Sequence, residues 1–182
     1  MQIETLRFGT INYSQEHLIH FRDGMIGLAK MKDYLIVESA NSPLILWLQS
    51  IQDAKVAFPL VEPYFFVRDY KITMNDAERL SLGLNPGERS KVMVILTIPN
   101  QIENMTVNMK APIVFNVEKS VGTQVVLQDK NFQVRTPAYE IFARATNAIA
   151  TNHTDSAAQE EWLPIRLGGR EQSAENSAAV AI

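Results

Sequence analysis

Short runs of β-branched and aromatic residues, cut by turn residues every few positions, constrain this chain more than any other feature. Ile3 to Phe8 alternates in the way a strand does, and His17 to Phe21 is a second short run. Asp23-Gly24-Met25-Ile26-Gly27 then marks turns through its two glycines. Tyr34 to Val37 and Leu44 to Leu48 follow, joined through Ala40-Asn41-Ser42-Pro43. Val56 to Val61 contains Pro59, which predicts an edge strand or a bulge because proline cannot donate to a ladder. Lys91 to Ile98 is the strongest strand and ends at Pro99. Ile113 to Val117, Gln124 to Leu127 and Phe132 to Arg135 complete the series.

One segment among these strands reads as a helix. Asn75 or Asp76 can cap Asp76 to Leu82, Glu78 places negative charge in the first turn, and Gly83 ends it. About two turns are too few to stand alone, so the helix must dock on the sheet. No series of crossover helices is present, which argues against a parallel α/β fold. The predicted fold is mostly β: a small antiparallel barrel-like domain, or a sandwich, with one short helix.

The character changes after Pro137. Tyr139, Phe142, Ala143, Thr146 and Ile149 fall at helical spacing on one stripe. From Thr151 onward Ala, Ser, Asn, Gln and Glu dominate, a composition that predicts disorder. The exception is Trp162-Leu163-Pro164-Ile165, either a chance apolar cluster, a dock onto the domain, or a short motif for a partner. The expected division is therefore a barrel domain over 1–137 and an extension over 138–182. Residues 1–137 carry 14 Lys and Arg against 14 Asp and Glu, so the net charge of −3 lies wholly in the extension. A neutral body with an acidic tail is a poor direct binder of nucleic acid, whose affinity comes mainly from Lys and Arg on phosphates.

Chemistry has no positive signal. The chain has no Cys, which removes thiol catalysis and Cys-ligated zinc. His17 and His20 stand at an odd offset, so on a strand they point to opposite faces and share no metal, and His153 lies apart from both. Gly83-Leu84-Asn85-Pro86-Gly87-Glu88-Arg89-Ser90 lacks the Lys-Ser/Thr ending of a phosphate loop and reads as a turn. Gly168-Gly169 is equally weak, and Glu160-Glu161 reads as a solvated pair. The start Met1-Gln2-Ile3-Glu4 has no basic, apolar leader, and no apolar run approaches the roughly 20 residues of a membrane helix. The three Asn-X-Ser/Thr triplets, at Asn12, Asn104 and Asn152, are then chance matches. No cofactor and no membrane contact is expected.

What remains is a set of polar residues set into apolar stretches. Gln49 and Ser50 end an apolar strand, Asn108 and Asn116 flank another, and Asp69-Tyr70 follows Pro63-Tyr64-Phe65-Phe66. Amides at strand ends commonly satisfy loop backbone, so each has a structural reading beside any functional one.

These segments, in order, resemble the flagellar assembly factor FliW family. Phe21-Arg22-Asp23-Gly24-Met25-Ile26-Gly27 resembles its Phe-Pro-x-Gly-hydrophobic-x-Gly-Phe element. Leu48-Gln49-Ser50, then Ala57-Phe58 with Pro63 and Asp69-Tyr70, resemble its next elements. Thr106-Val107-Asn108-Met109 with Ala111-Pro112-Ile113 and Asn116 resembles its longest block, and Gly122-x-Gln124-Val125-x-Leu127 its closing strand. Arg22 departs from the family's proline, Leu28 from its phenylalanine and Met109 from its frequent leucine. The likeness covers about residues 3–136.

The resemblance implies a compact β-barrel-like protein of the cytoplasm, monomeric when free and without enzyme activity. It implies two protein partners: flagellin and the carbon storage regulator CsrA, an RNA-binding repressor of flagellin translation that the family sequesters. CsrA has a basic surface, so Glu62, Asp69 and Glu103 are candidate contacts, with Tyr64, Tyr70 and Met105 as neighbouring anchors. Gln49, Ser50 and Asn108 join that set through the motifs they occupy. Two other classes stay open: a small β-barrel that binds or transforms a small molecule, which a closed pocket with convergent polar groups would favour, and a structural subunit, which a large self-complementary apolar face and an obligate oligomer would favour.

Overall fold

The computed structural model describes residues 1–39, 42–85, 88 and 90–151, with backbone alone over 148–151. Ala40-Asn41, Asn152, His153, Glu160-Glu161, Trp162-Leu163-Pro164-Ile165 and Gly168-Gly169 lie outside the described residues.

The chain opens with a hairpin, β1 (Gln2–Thr5) and β2 (Gly9–Asn12), paired antiparallel from Gln2 opposite Asn12 to Thr5 opposite Gly9. The predicted strand through Phe8 stops early because Thr5 makes a turn. Its hydroxyl donates to the Gly9 carbonyl at 2.9 Å and accepts from the Phe8 amide at 3.0 Å. A 3₁₀ turn over Gln15–His17 leads into β3 (Leu18–His20). Then follow β4 (Asp33–Glu38), β5 (Leu46–Ser50) and β6 (Ala57–Val61). A second 3₁₀ turn, Pro63–Phe65, precedes helix α1 (Asp76–Ser81), and β7 (Lys91–Thr97) comes next. After a third 3₁₀ turn, Ile102–Asn104, come β8 (Thr106–Val107), β9 (Ile113–Asn116), β10 (Val121–Gln124) and β11 (Thr136–Pro137). Helix α2 (Tyr139–Thr151) ends the described chain.

The sheet runs β11-β8-β7-β6-β5-β4-β3-β10-β9, and β9 returns to pair with β7. Strands β7, β6, β5, β4, β3, β10 and β9 therefore close a seven-stranded barrel. Six of its seams are antiparallel, and the β3–β10 seam, His20 opposite Val121, is parallel. Parity requires this. Direction alternates across each antiparallel seam, and a ring with an odd number of strands must bring two alike together. The all-antiparallel expectation needs that one correction.

Successive residues feed opposite faces of the ring. On β4, Tyr34 and Ile36 join a cluster with Ile19, Phe21, Leu48, Leu60, Met93, Ile113 and Phe115. Leu35 and Val37 join another with Trp47, Val61, Val94, Leu96 and Val114, which also takes in Phe8 and Ile11 of the hairpin. Both faces are covered, so the strands read as unbroken apolar runs rather than alternating ones. Phe21 packs edge-on against Tyr34 and Phe115, with centroids 5.1 and 6.1 Å away. It lies over Gly122, where a Cβ would come within 2.6 Å of the ring.

Pro59 stands inside the ring instead of at an edge. It pairs with Trp47 on β5, but β7 joins β6 only at Leu60 and Val61, so the missing donor falls where that ladder has not begun. The predicted strand Gln124–Leu127 begins earlier, at Val121. Its later residues still bond across, Val125 to the Pro112 carbonyl and Leu127 to that of Lys110, both at 2.9 Å. Phe132–Arg135 is not a strand. The Gln133 carbonyl accepts the amides of Met109 and Lys110 instead, and the pairing with β8 falls to Thr136 and Pro137.

Helix α1 has the predicted signals. Asn75 Oδ1 accepts the Glu78 amide at 2.9 Å, and Glu78 Oε2 accepts the Asn75 amide at 2.7 Å. Such a reciprocal box satisfies two donors that the first turn leaves free. Beyond Ser81, Gly83 donates to Leu80 O and Leu84 to Arg79 O, which closes the other end. No helix among the described residues is long and apolar enough to cross a membrane.

Candidate protein-binding surface

Five of the nine candidate residues face inward, and the side chains of four of them hold backbone. Gln49 is fully buried, and its Nε2 donates to the carbonyls of Ser50 at 2.9 Å and Val56 at 3.1 Å. Ser50, also fully buried, accepts the Gln52 amide on Oγ at 3.1 Å. Together they shape the β5–β6 connection. Asn108 Oδ1 accepts the amides of Lys110 and Ala111 at 3.2 and 3.0 Å, which fixes the turn before β9. Tyr70 is buried, donates from its hydroxyl to the Met109 carbonyl at 2.6 Å, and packs on Phe132 at 4.8 Å. Burial drives its pKa upward. Met105 is buried in the same cluster, and its carbonyl accepts the Ala138 amide at 2.9 Å.

The other four reach outward. Glu62 begins the Pro63–Phe65 turn, half-buried, and accepts from Lys91 across the β6–β7 seam. Tyr64 is 55% exposed within that turn, and Asp69 is exposed four residues after it ends. Glu103 is exposed at the centre of the Ile102–Asn104 turn. Proline at the first position and the β-region backbone of Glu62 set the first of these turns.

Helix α2 brings the two turns together. It starts from Ala138, tied to Met105, packs the half-buried Phe142 against the barrel, and contacts both Pro63–Phe65 and Ile102–Asn104. Tyr64, Ile102 at 47% exposure and Tyr139 at 36% thus lie on neighbouring elements. Glu103 follows Ile102 and Glu140 follows Tyr139, and both acids are exposed. Glu140 also pairs with Arg144 at 3.0 Å. Exposed aromatic side chains are enriched in the cores of protein-binding surfaces, and charged groups belong to their rims.

Ile102 and Tyr139 were not singled out by sequence. Ile102 sits alone in the polar stretch Asn100-Gln101-Ile102-Glu103-Asn104, an isolation that is the one available signal. Tyr139 reads as the start of a buried stripe, but as the first residue of the helix it stays at the rim while Phe142 goes in.

Both described histidines and Glu88 form structural contacts. His20 Nδ1 lies 2.7 Å from Asp33 Oδ1 as a cross-strand pair, and His17 Nδ1 lies 2.7 Å from Ser14 Oγ. Glu88 is held below its ordinary pKa, first by the Asn85 amide and then by the Asn85 side chain. Among the described residues no group of three or more His, Asp or Glu could hold a metal.

Residues 2–138 match the model of the FliW protein family. The flagellar assembly factor FliW of Bdellovibrio bacteriovorus is 34% identical over 152 residues, 84% of this chain and 85% of that protein. Its counterpart in Lachnoclostridium phytofermentans is 35% identical over 145 residues, 78% of this chain and 93% of that protein. A crystal structure of a flagellar assembly factor FliW superposes with a TM-score of 0.71 at 27% identity, covering 76% of this chain and 97% of that one.

Proposed function

Because this chain belongs to the FliW family and is a flagellar assembly factor, we propose that it works without chemistry of its own, by binding two proteins in turn. One is the RNA-binding repressor CsrA, sequestered so that flagellin mRNA is translated. The other is flagellin, which competes for the same molecule, so that export of flagellin frees the factor to bind CsrA again.

The observation that supports this reading is that Tyr64, Ile102 and Tyr139 stand exposed on α2 and the two turns it contacts, with the exposed acids Glu103 and Glu140 next to two of them in the chain. A basic RNA-binding protein offers the complementary charge, which favours encounter and register, while the aromatic and aliphatic side chains supply desolvated area. Side chains packed on both faces of the ring favour recognition at the surface over enclosure of a ligand. The switch is then mass action. If the two partners exclude each other, flagellin at ten times its dissociation constant raises the apparent constant for CsrA about 11-fold, or about 1.4 kcal/mol.

A titration of the purified chain with CsrA, repeated in the presence of flagellin, tests it. The expected result is saturable CsrA binding that weakens in proportion to added flagellin. Failure of the folded chain to bind CsrA at all would overturn the proposal.

A further inference from the structure

The β3–β10 seam closes the ring on a single pair, His20 opposite Val121. Beyond it, the β10 strand and its continuation have a strand neighbour on one side only. Val125 donates to the Pro112 carbonyl and Leu127 to that of Lys110, so these residues turn their main-chain groups toward the segment that leads into β9. In an antiparallel ladder the residues between them point the other way. The amides of Gln124 and Val126 therefore face the open side, and neither has a hydrogen-bond partner among the described residues.

The loop after β3 reaches this edge without joining it as a strand. Ile26 donates its amide to Gln124 Oε1 at 3.1 Å, and Gln124 Nε2 donates to the Ala111 carbonyl at 3.2 Å. Val126 lies two residues on from Gln124 and so shares its face. Ile26 is 58% exposed and Val126 47%. Two apolar side chains thus border a row of main-chain groups left open at strand spacing, about 7 Å apart. An open edge of this kind is a template for another strand.

The charges at its two ends select which strand fits. At the Gly122 end stands Arg22, next to the Phe21 whose ring lies over Gly122, and Lys32 Nζ donates to the Arg22 carbonyl at 2.7 Å. At the other end Lys110 Nζ donates to the Asp129 carbonyl at 2.7 Å, and Lys130 follows in the chain. Asp23 and Asp129 are the acids of the same two stretches. None of these six side chains is in an ion pair among the described residues. Four cations against two acids leave a positive border, which favours a partner with acidic flanks. A second copy of the chain would bring the same positive border and is disfavoured.

We propose that the 124–128 edge and Ile26 form a second protein-binding site, which takes an extended segment of a partner by strand addition. The segment pairs its main chain with Gln124 and Val126, sets an apolar side chain against Ile26 and Val126, and carries acidic residues at its ends. This site lies on other elements than α2 and the two turns it contacts, so it does not rest on the proposed function.

The test uses the full ¹⁵N-labelled chain, read by amide NMR, and the capped synthetic peptide Glu-Glu-Val-Thr-Val-Thr-Val-Glu-Glu. Saturable shifts are expected at the amides of Gln124, Val126 and Gln128, with a dissociation constant of about a millimolar or below. Methylating the peptide's backbone nitrogens at its Val residues, or separately at its Thr residues, should give unequal losses, at least tenfold for the set that faces the barrel. Val126→Pro removes an amide that bonds nothing in the barrel and should weaken binding at least tenfold, while Val126→Thr keeps that amide and should lose less. Replacing the peptide's Glu residues by Lys should also cost at least tenfold. No saturable binding by the folded chain at about 2 mM peptide overturns the proposal. So does binding that shifts the amides of Tyr64, Ile102 and Tyr139 instead, or equal affinity for the parent and both methylated peptides. Edge amides that move with protein concentration alone also overturn it, since a second copy would then fill the edge.

Discussion

Replacing Tyr70 with phenylalanine separates a residue that holds the fold from one that meets a partner. The substitution removes only the hydroxyl that donates to the Met109 carbonyl at 2.6 Å. The ring keeps its place on Phe132, and the volume is nearly unchanged. Met109 is 1% exposed, so its carbonyl loses a donor in a site closed to water. Stranding a buried acceptor in this way costs roughly 1–3 kcal/mol. With a urea dependence of about 2 kcal/mol per molar, a loss of about 2 kcal/mol lowers the unfolding midpoint by about 1 M. Tyr34→Phe is the internal control. That residue is fully buried on the other face of the ring, and its hydroxyl has no partner among the described residues, so removing it should be neutral or stabilising. Parallel urea melts of the three proteins, followed by far-UV circular dichroism, read both effects. A Tyr70→Phe midpoint within about 0.2 M of wild type, or equal losses in the two variants, would refute the reasoning.

Three further predictions follow from the same packing. Gly122→Ala places a methyl 2.6 Å from Phe21, which is held between Tyr34 and Phe115, and should cost about 1–3 kcal/mol by overpacking in a thermal or urea melt. Asn75→Ala removes the cap of α1 and should cost about 1 kcal/mol, seen as a lower midpoint. Burial pushes the Tyr34 pKa up to about 12 from an unfolded value near 10. The folded state therefore holds a proton that the unfolded state releases, and stability is complete below pH 10 and falls as pH rises toward 12. Tyr34→Phe should make that alkaline decline shallower, as urea midpoints at pH 9, 10 and 11 would reveal, and an unchanged slope would count against it.

Most of the ring strands were legible because both of their faces are buried, which leaves continuous apolar runs such as Tyr34–Val37 and Leu44–Leu48, whereas β10, with Gly122, Thr123 and Gln124 among its four residues, has no such run and was expected three residues later. Strand β2 escaped notice because three of its four residues are exposed, and β8 because two residues carry no period. The parallel seam is a property of ring closure, not of any local stretch. Amides such as Asn116, whose Nδ2 donates to the Leu82 carbonyl at 3.0 Å, could be read as backbone holders from their places at strand ends. The candidate surface was harder. Exposure of Ile102 and Tyr139 depends on how α2 crosses the two 3₁₀ turns, and no spacing in the chain encodes that crossing.

The most direct test of the account is the affinity of the full chain for CsrA after Glu103→Lys and, separately, Ile102→Asp, with circular dichroism showing that the barrel is intact. Both residues are exposed, so the unfolding midpoint should hold while the affinity falls at least tenfold in each variant. Undiminished binding by both variants, in a chain that binds CsrA before substitution, would place the contact elsewhere on the barrel and contradict the account.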